Sequence, residues 1–338
     1  MKHLLISDPT LRDGSHAVQH QLSLENILFY AEYAEKVGIP ILEVGHGNGL
    51  GASSLQLGQS LVSDSELLEN CRLKLTNTKL GIHVIPGFAT IHKDLKNALD
   101  IGADVIRVAS HCTEADITKR HIEYCRQHDR EAYGVLMMSH MVSAAVLVEQ
   151  AQKMESYGAQ AIIIMDSAGA LLPSDVYEKI SNLVQNLNIP VGFHAHNNLG
   201  MAIANSLEAI RAGATILDGT LRGFGAGAGN AQLEVLVAVL HKMGFDTGID
   251  LYQLLDFADL AERTFITTPH INSVSVISGL NGVFSGFAKP VERIAKEYNV
   301  DPKDIFFELG QRKVIAGQED FILEIALSLS QKGLNISE

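Results

Sequence analysis

The sequence predicts an α/β fold, namely a (β/α)8 TIM barrel with a C-terminal helical domain. Short apolar runs alternate with amphipathic stretches of helical length, which is the pattern of βα units around a parallel sheet. Polar side chains gather where several of these apolar runs end, and a barrel collects its functional residues at those strand ends. The 338 residues accommodate a barrel of about 250 residues and a further segment.

Eight short apolar runs are the predicted strands. They are rich in isoleucine, leucine and valine and end in polar residues or glycine, as expected of strands in a parallel sheet that is buried on both faces. They are residues 4–7, 41–45, 80–85, 105–109, 133–138, 161–165, 191–196 and 215–219.

Amphipathic stretches between the strands predict the helices of the barrel. Examples are residues 24–37, 92–101, 144–157, 173–187, 201–212 and 231–243. Three of the helix ends carry a glycine suited to a left-handed cap, at Gly38, Gly102 and Gly213. An open doubly wound sheet is the alternative, but no strand followed by GxGxxG begins the chain. The pattern therefore favours the closed barrel.

Helices alone are predicted beyond the eighth βα unit. They cover residues 252–263, 290–298, 302–309 and 319–329. We therefore expect two domains, a catalytic barrel over residues 1–250 and a helical domain over 251–338. No linker rich in proline or serine separates them, so we expect direct packing of the second domain on the barrel.

Composition excludes several functional classes. The net charge of −13, without a basic block, argues against a nucleic-acid partner. No apolar run reaches the ~20 residues that a membrane span needs. The N-terminus, MKHLLISDPTLRDG, does not fit a signal or transit peptide, so we expect a cytoplasmic protein. Three cysteines without a CxxC pair argue against disulfides and structural zinc.

Ionisable and polar residues stand at or just after the end of every predicted strand. Lysine is not among them, which argues against an aldolase that forms a Schiff base with its substrate. The strand-end residues are Asp8, Arg12, Asp13, His16, Glu43, His46, His83, Arg107, His111, His140, Asp166, Ser167, His194, His196, Asn198 and Asp218. Because an anionic substrate would be repelled by the net charge, a metal ion or an arginine among these residues is expected to attract it.

A divalent metal site is predicted from three of these residues. His194 and His196 are two residues apart on a strand, so both imidazoles lie on one face. With Asp13 they form a set of two nitrogens and one carboxylate, which leaves about three open positions on an octahedral ion such as Mn²⁺, Mg²⁺ or Co²⁺. A pair of hydrogen-bonded histidines without a metal remains the alternative.

Two neighbours of Asp13 extend the site. Arg12 is placed to stabilise a carboxylate or an enolate oxygen, and a neutral His16 is placed to act as a general base. A simple ion pair between Arg12 and Asp13 is the competing explanation.

The motifs DPTLRDGSHAVQHQ, EVGHGNGLG, RVASHCTEAD, MMSHM, HAHNNLG, GAGAGNA and GQEDF, taken together, resemble the 4-hydroxy-2-oxovalerate aldolase family. That family lies within the metal-dependent superfamily of hydroxymethylglutaryl-CoA lyase. The resemblance covers nearly the whole chain, including the helical tail. It implies cleavage of a 4-hydroxy-2-oxoacid to pyruvate and a short aldehyde, a step of aromatic hydrocarbon catabolism.

The resemblance also implies residue roles. Asp13, His194 and His196 would bind the metal, with Mn²⁺ as the expected ion and the 2-oxoacid chelated to it. His16 would take the C4 hydroxyl proton and Arg12 would stabilise the pyruvate enolate. Substrate contacts are also expected from Asp13, Ser167 and His194. In the tail, Phe284 stands where the family has a tyrosine that contacts substrate, and Asn281 replaces a second tyrosine. A different substrate or stereochemistry is therefore expected.

Partners and alternative functions follow from the same resemblance. An acylating aldehyde dehydrogenase that receives the aldehyde is the expected partner, in a homo-oligomer or hetero-oligomer. A Claisen-type condensing enzyme or lyase that uses an acyl-CoA is the alternative enzyme. A catalytically idle scaffold is the alternative outside enzymes, and the intact Arg12, Asp13, His16, His194 and His196 argue against it.

Overall fold

The computed structural model describes residues 3–336 and contains a closed barrel of eight parallel strands in chain order. The fold class predicted from the sequence is confirmed. The strands are β1 Leu5–Leu11, β2 Ile41–Val44, β3 Lys79–Val84, β4 Val105–His111, β5 Glu131–Met137, β6 Ala161–Asp166, β7 Val191–Ala195 and β8 Ile216–Asp218. Pairing of β1 with β8 closes the barrel.

Within residues 3–336, eight helices surround the barrel. They are α1 Leu24–Val37, α2 Asp64–Lys74, α3 Lys96–Ile101, α4 Lys119–Gln127, α5 Ala144–Ser156, α6 Pro173–Asn186, α7 Ala202–Arg211 and α8 Leu233–Lys242. The serine before α1 caps it, since the Ser23 hydroxyl accepts a hydrogen bond from the Asn26 amide. The three glycines predicted to end helices have the positive φ angles of left-handed caps.

The barrel strands are buried on both faces. Residues of one parity, such as Val135 and Ile163, fill the interior of the barrel. Residues of the other parity, such as Leu136 and Ile164, pack under the helices in the main core. This alternation explains why the strands read as continuous apolar runs. It also directs the polar residues of inward parity, Arg107 and His194 among them, into the interior.

The C-terminal segment consists of five further helices within the described residues. They are α9 Leu251–Thr264, α10 Ser273–Leu280, α11 Ala288–Tyr298, α12 Pro302–Gln311 and α13 Asp320–Ile336. The α10 helix was not predicted, because its sequence SVSVISGL is short and rich in β-branched residues. Between residues 3 and 336, no helix combines the length and the apolarity that a membrane crossing would require.

Packing separates α9 from the helices that follow it. Leu254, Phe257 and Ala261 of α9 belong to the main core under the barrel helices. A second core, which includes Val291, Phe306 and other residues of 283–326, is built by the later helices. The predicted boundary at residues 250 and 251 stays a prediction. We propose, from this packing, that the boundary lies between α9 and α10.

Candidate active site

Asp13, His194 and His196 meet at one end of the barrel. One potential ligand atom from each side chain lies within 4.8 Å of the others, and all three residues are buried. Asp13 follows β1, whereas His194 lies on β7 and His196 directly after it. Because β8 alone separates these strands, closure of the barrel brings the two sequence segments together. The structure thus assembles the predicted cluster, and metal binding by it stays a prediction.

A neighbouring carboxylate orients one of the histidines. His194 Nδ1 lies 2.8 Å from Asp218 Oδ2, so this nitrogen carries the proton and donates it. His194 Nε2 and His196 Nδ1 are both buried and lack a hydrogen-bond partner among the described residues. Buried polar atoms are rarely left unsatisfied. These two nitrogens therefore fit the requirements of a metal site better than those of a hydrogen-bonded histidine pair.

Asn230 is a member of the site that was not predicted. Its Nδ2 donates to Asp13 Oδ2 at 2.6 Å, while its Oδ1 is buried without a partner among the described residues. Asn230 ends the glycine-rich loop 223–230, GFGAGAGN, and its backbone forms an antiparallel β-bridge with His196. A Cβ at Gly225 would come within 2.6 Å of Asp13 Oδ2, so glycine lets the loop cover the carboxylate. The only signal in the sequence was one polar residue that ends a glycine-rich loop after β8.

A chain of buried ion pairs lies beneath the cluster. Arg12 Nε donates to Glu43 Oε1 at 2.5 Å, and Arg107 Nη1 lies 3.2 Å from Glu43 Oε2. Arg107 Nη2 donates to Asp218 Oδ2 at 2.7 Å. Burial alone would raise the pKa of Glu43, but attraction to Arg12 and Arg107 lowers it to about 2. Both arginines are thus held by the ionised carboxylate of Glu43 at neutral pH.

Arg12 keeps part of its guanidinium free for a ligand. Its Nη1 donates to Asp13 Oδ1 at 3.0 Å, so the predicted competing ion pair is present. Its Nη2 is buried and has no partner among the described residues. Burial alone would raise the pKa of Asp13, but electrostatic attraction to His196 and Arg12 holds it well below its usual value. The Arg12–Asp13 contact is therefore compatible with roles for both residues in ligand binding.

His16 stands at the edge of the cluster, where it lines two cavities. One, of about 420 Å³, is also lined by Phe284 and Lys289, and the other, of about 260 Å³, by Ser285. The His16 ring lies edge-on to that of His20, with 5.0 Å between the centroids. Burial lowers the pKa of His16, so the ring is neutral at pH 7 and able to accept a proton.

The tail places Phe284 over the site. The ring of Phe284 lies edge-on to that of His16, with 6.3 Å between the centroids. The Ser285 amide donates to the Ser167 carbonyl oxygen at 2.9 Å, which ties the tail to the end of β6. The Ser167 hydroxyl accepts a hydrogen bond from the Met138 amide at 2.9 Å. Ser167 thus joins β5 and the tail, and its contact with substrate stays a prediction.

Several strand-end residues lie outside the cluster. Asp8 accepts from the hydroxyls of Thr10 and Tyr30, and Asp166 accepts from the amides of Ala170 and Leu171. The Asp8 contacts lie within β1 and reach α1, whereas the Asp166 contacts organise the turn that follows β6. Burial raises the pKa of each of these two aspartates to about 6. His46 and His111 bond to neighbouring loop residues, and His140 bonds to the tail.

Comparison with known proteins places this geometry in a family. A sequence model described as HMGL-like matches residues 3–261, and one described as a DmpG-like communication domain matches residues 269–331. The junction between the two matches falls near the end of α9, in agreement with the boundary proposed from packing.

Two relatives illustrate the similarity. The 4-hydroxy-2-oxovalerate aldolase of Pectobacterium atrosepticum is 60% identical over 100% of this chain and 98% of its own length. That of Spirochaeta aurantia is 61% identical over 98% of this chain and 97% of its own. Among solved structures, the carboxyl transferase domain of Rhizobium etli pyruvate carboxylase shares the fold. It has a TM-score of 0.81 and 16% identity over 98% of this chain and 61% of that one. The chain therefore belongs to the HMGL-like family, within it to the 4-hydroxy-2-oxovalerate aldolases, and carries a DmpG-like communication domain.

Proposed function

We propose that this protein is a metal-dependent carbon–carbon lyase that cleaves a 4-hydroxy-2-oxoacid to pyruvate and a short aldehyde. One observation carries the proposal. Asp13, His194 and His196 converge in a buried cluster beside His16, and His194 Nε2, His196 Nδ1 and Arg12 Nη2 have no hydrogen-bond partner among the described residues. The names of the full-length relatives support this reaction over the acyl-CoA alternative.

The residues that would hold the metal are Asp13, His194 and His196. Asn230 Oδ1, next to Asp13, is a further oxygen that lacks a partner within the described part of the chain. A mixed set of nitrogen and oxygen donors suits Mn²⁺, with Mg²⁺ and Co²⁺ as alternatives. When bound, a divalent ion polarises the 2-oxo group of the substrate and favours charge development on its oxygen.

The charge of the site supports an anionic substrate. Three carboxylates, those of Asp13, Glu43 and Asp218, are buried with the guanidiniums of Arg12 and Arg107. These groups carry one net negative charge, which a divalent cation would convert to one net positive charge. The carboxylate of a 2-oxoacid would then neutralise the buried site, which is the stable arrangement for a low-dielectric interior.

Arg12 and His16 would perform the chemistry at the two ends of the scissile bond. His16, neutral at pH 7, removes the C4 hydroxyl proton as the C3–C4 bond breaks and the aldehyde carbonyl forms. The electron pair of that bond forms the C2=C3 double bond, and the π electrons of the C2 carbonyl move onto its oxygen. The product is the enolate of pyruvate. Arg12 Nη2, which has no partner among residues 3–336, is the group in this chain that would stabilise this oxygen. Uptake of a proton at C3 balances the proton that His16 has taken from the C4 hydroxyl, and completes the reaction.

Phe284 and Ser167 would shape the part of the pocket that holds the substrate. Phe284 lies beside His16 and therefore beside the expected position of the C4 substituent. A phenyl ring offers no hydrogen bond to the C4 hydroxyl, so shape and apolar contact would decide the aldehyde length and the stereochemistry. Ser167 contributes a buried hydroxyl at the end of β6.

A test of the function is pyruvate release from a panel of 4-hydroxy-2-oxoacids. The purified protein, dialysed against a chelator, is supplied with Mn²⁺, Mg²⁺ or Co²⁺ and with substrates of different chain length and C4 configuration. We expect pyruvate in the presence of metal and none after chelation. Absence of pyruvate from every substrate with every metal contradicts the proposal, and a parallel assay with acyl-CoA donors tests the condensing alternative.

We further propose an acylating aldehyde dehydrogenase as the partner of the C-terminal helices. The match to a communication domain supports this assignment. Exposed apolar side chains on α10, α12 and α13 are consistent with a covered surface; they are Val276, Leu280, Phe307, Leu323 and Leu327. Co-expression with such a dehydrogenase from the same source and size-exclusion chromatography test the proposal, and separate elution at micromolar concentration contradicts it.

A further inference from the structure

The tail segment 278–287 is fixed to the barrel on both sides of Phe284. Before Phe284, the Gly282 carbonyl oxygen lies 2.9 Å from His140 Nε2. After Phe284, the Ser285 amide donates to the Ser167 carbonyl, and the Ser285 hydroxyl donates to Asn198 Oδ1 at 3.3 Å. The contacts come from the ends of β5, β6 and β7, so three neighbouring strands determine the course of the segment.

The turn that carries His140 is itself held firmly. His140 lies in the short helical turn Ser139–Met141, which directly follows β5. The Ser139 hydroxyl donates to the Met165 carbonyl at 2.8 Å, and the Met138 amide donates to the Ser167 hydroxyl. The turn that positions His140 is thus bonded to β6, the same strand end that holds the tail after Phe284.

The His140 ring has one donor, and it points to the tail. Burial lowers the pKa of His140 to about 4, so the ring is neutral at pH 7. Nδ1 is buried without a partner among the described residues, so the proton belongs on Nε2, which donates to the Gly282 carbonyl. A Cβ at Gly282 would lie 3.0 Å from His140 Nε2, and φ there is +64°. A glycine therefore allows the close approach.

We propose that His140 is a positioning residue that determines selectivity at the C4 end of the substrate. Its hydrogen bond to Gly282 holds Phe284 against His16, although His140 itself belongs neither to the metal cluster nor to the proposed catalytic residues Arg12 and His16. This role rests on the proposed function, because selectivity is defined for the aldol substrates. It gives a function to the histidine of the MMSHM motif, which the catalytic scheme leaves unused.

The test compares His140→Leu, which has no donor, with His140→Gln, which keeps one. In His140→Leu we expect faster amide hydrogen exchange in peptides that span 278–290 and unchanged exchange in the barrel strands. We expect the ratio of kcat/KM between a short and a long aldehyde substrate, or between C4 enantiomers, to change about 2- to 10-fold, the effect of one lost neutral hydrogen bond. The apparent Mn²⁺ affinity of His140→Leu is expected to stay the same. His140→Gln is expected to restore most of the wild-type amide exchange and substrate selectivity.

Controls separate this role from general destabilisation. His241→Leu, an exposed change on α8, leaves exchange and selectivity as in the wild type. If His140→Leu does not fold, Gly282→Ala, which crowds the same contact, is expected to produce the same local exchange and selectivity change. Unchanged exchange at 278–290, or altered exchange with identical selectivity, overturns the proposal. Since exchange requires no turnover, a wild-type protein that releases no pyruvate overturns the proposed function instead.

Discussion

His194 Nδ1 donates a hydrogen bond to Asp218 Oδ2 at 2.8 Å, which links the neighbouring strands β7 and β8. The same carboxylate oxygen also accepts from Arg107 at 2.7 Å. This bond fixes the tautomer of His194 and leaves Nε2 as the atom available to a metal. A carboxylate behind a histidine ligand also raises the basicity of the ligating nitrogen.

Asp218→Asn is expected to weaken metal binding without removing a ligand. The amide oxygen would still accept a hydrogen bond, but the negative charge that supports His194 and neutralises Arg107 would be lost. We expect the apparent Mn²⁺ affinity to fall about 10- to 100-fold, as for outer-shell partners in general. Calorimetric titration of the apoprotein measures this, with Asp100→Asn on the surface of α3 as the control. Equal affinities would show that Asp218 has no role behind the metal site.

His196→Ala is expected to release the metal and abolish turnover. His196 supplies one of the two histidine nitrogens of the cluster that lack a partner among the described residues, and alanine offers no ligand in its place. Metal content measured after dialysis is the direct readout, and circular dichroism verifies the fold. A variant that retains a full equivalent of metal contradicts the ligand assignment.

His16→Ala is expected to separate metal binding from catalysis. His16 lies beside the cluster and is not among the three residues whose ligand atoms converge. Metal content should be unchanged, while the rate of aldol cleavage falls about 10²- to 10⁴-fold, the usual contribution of a general base. Near-normal cleavage by this variant would exclude His16 as the base.

Local patterns in the sequence were sufficient to predict the barrel and the proximity of Asp13, His194 and His196. Each βα unit carries its own periodicity, and strand parity placed His194 and His196 on one face. Barrel closure then brings Asp13 to them, which follows from fold class alone.

The remaining features depend on loops and on packing between distant segments. Asn230 reaches Asp13 through a glycine-rich loop whose course no local pattern specifies. The pairing of Asp218 with His194 and Arg107 requires the register of the closed barrel. The amphipathic pattern of α9 predicted a helix correctly. It does not determine whether the apolar face packs in the main core of the barrel or in the second core of the later helices.

Phe284→Tyr is expected to change the preference among 4-hydroxy-2-oxoacids or their C4 stereoisomers. The added hydroxyl would stand close to His16 and offer a hydrogen bond to the C4 oxygen. A hydrogen bond that only one stereoisomer can make changes the free energy of discrimination by about 0.5–1.5 kcal/mol. Measurement of kcat/KM for both enantiomers before and after the change tests this. Identical ratios would remove Phe284 from the substrate pocket.

Glu35→Gln is expected to lower stability in a manner that depends on pH. The Glu35 carboxylate, on α1, accepts hydrogen bonds from the amides of Thr76, Asn77 and Thr78 in the loop before β3. Partial burial alone would raise the pKa of Glu35, but these hydrogen bonds and those from the Thr76 and Asn77 side chains lower it to about 2. Glutamine replaces one acceptor oxygen by a donor and loses the charge, so some of these bonds are lost.

The sign of the pH effect follows from the lowered pKa. The carboxylate stabilises the folded state fully above its unfolded pKa of about 4.3, and this stabilisation is lost as pH falls toward 2. At pH 7 we expect the variant to have a free energy of unfolding about 1 kcal/mol lower, and the difference should shrink between about pH 4 and 2. Denaturant unfolding of both proteins across this range measures it. Glu69→Gln, an exposed change on α2, serves as the control, and a difference that is independent of pH would contradict the role of the Glu35 charge.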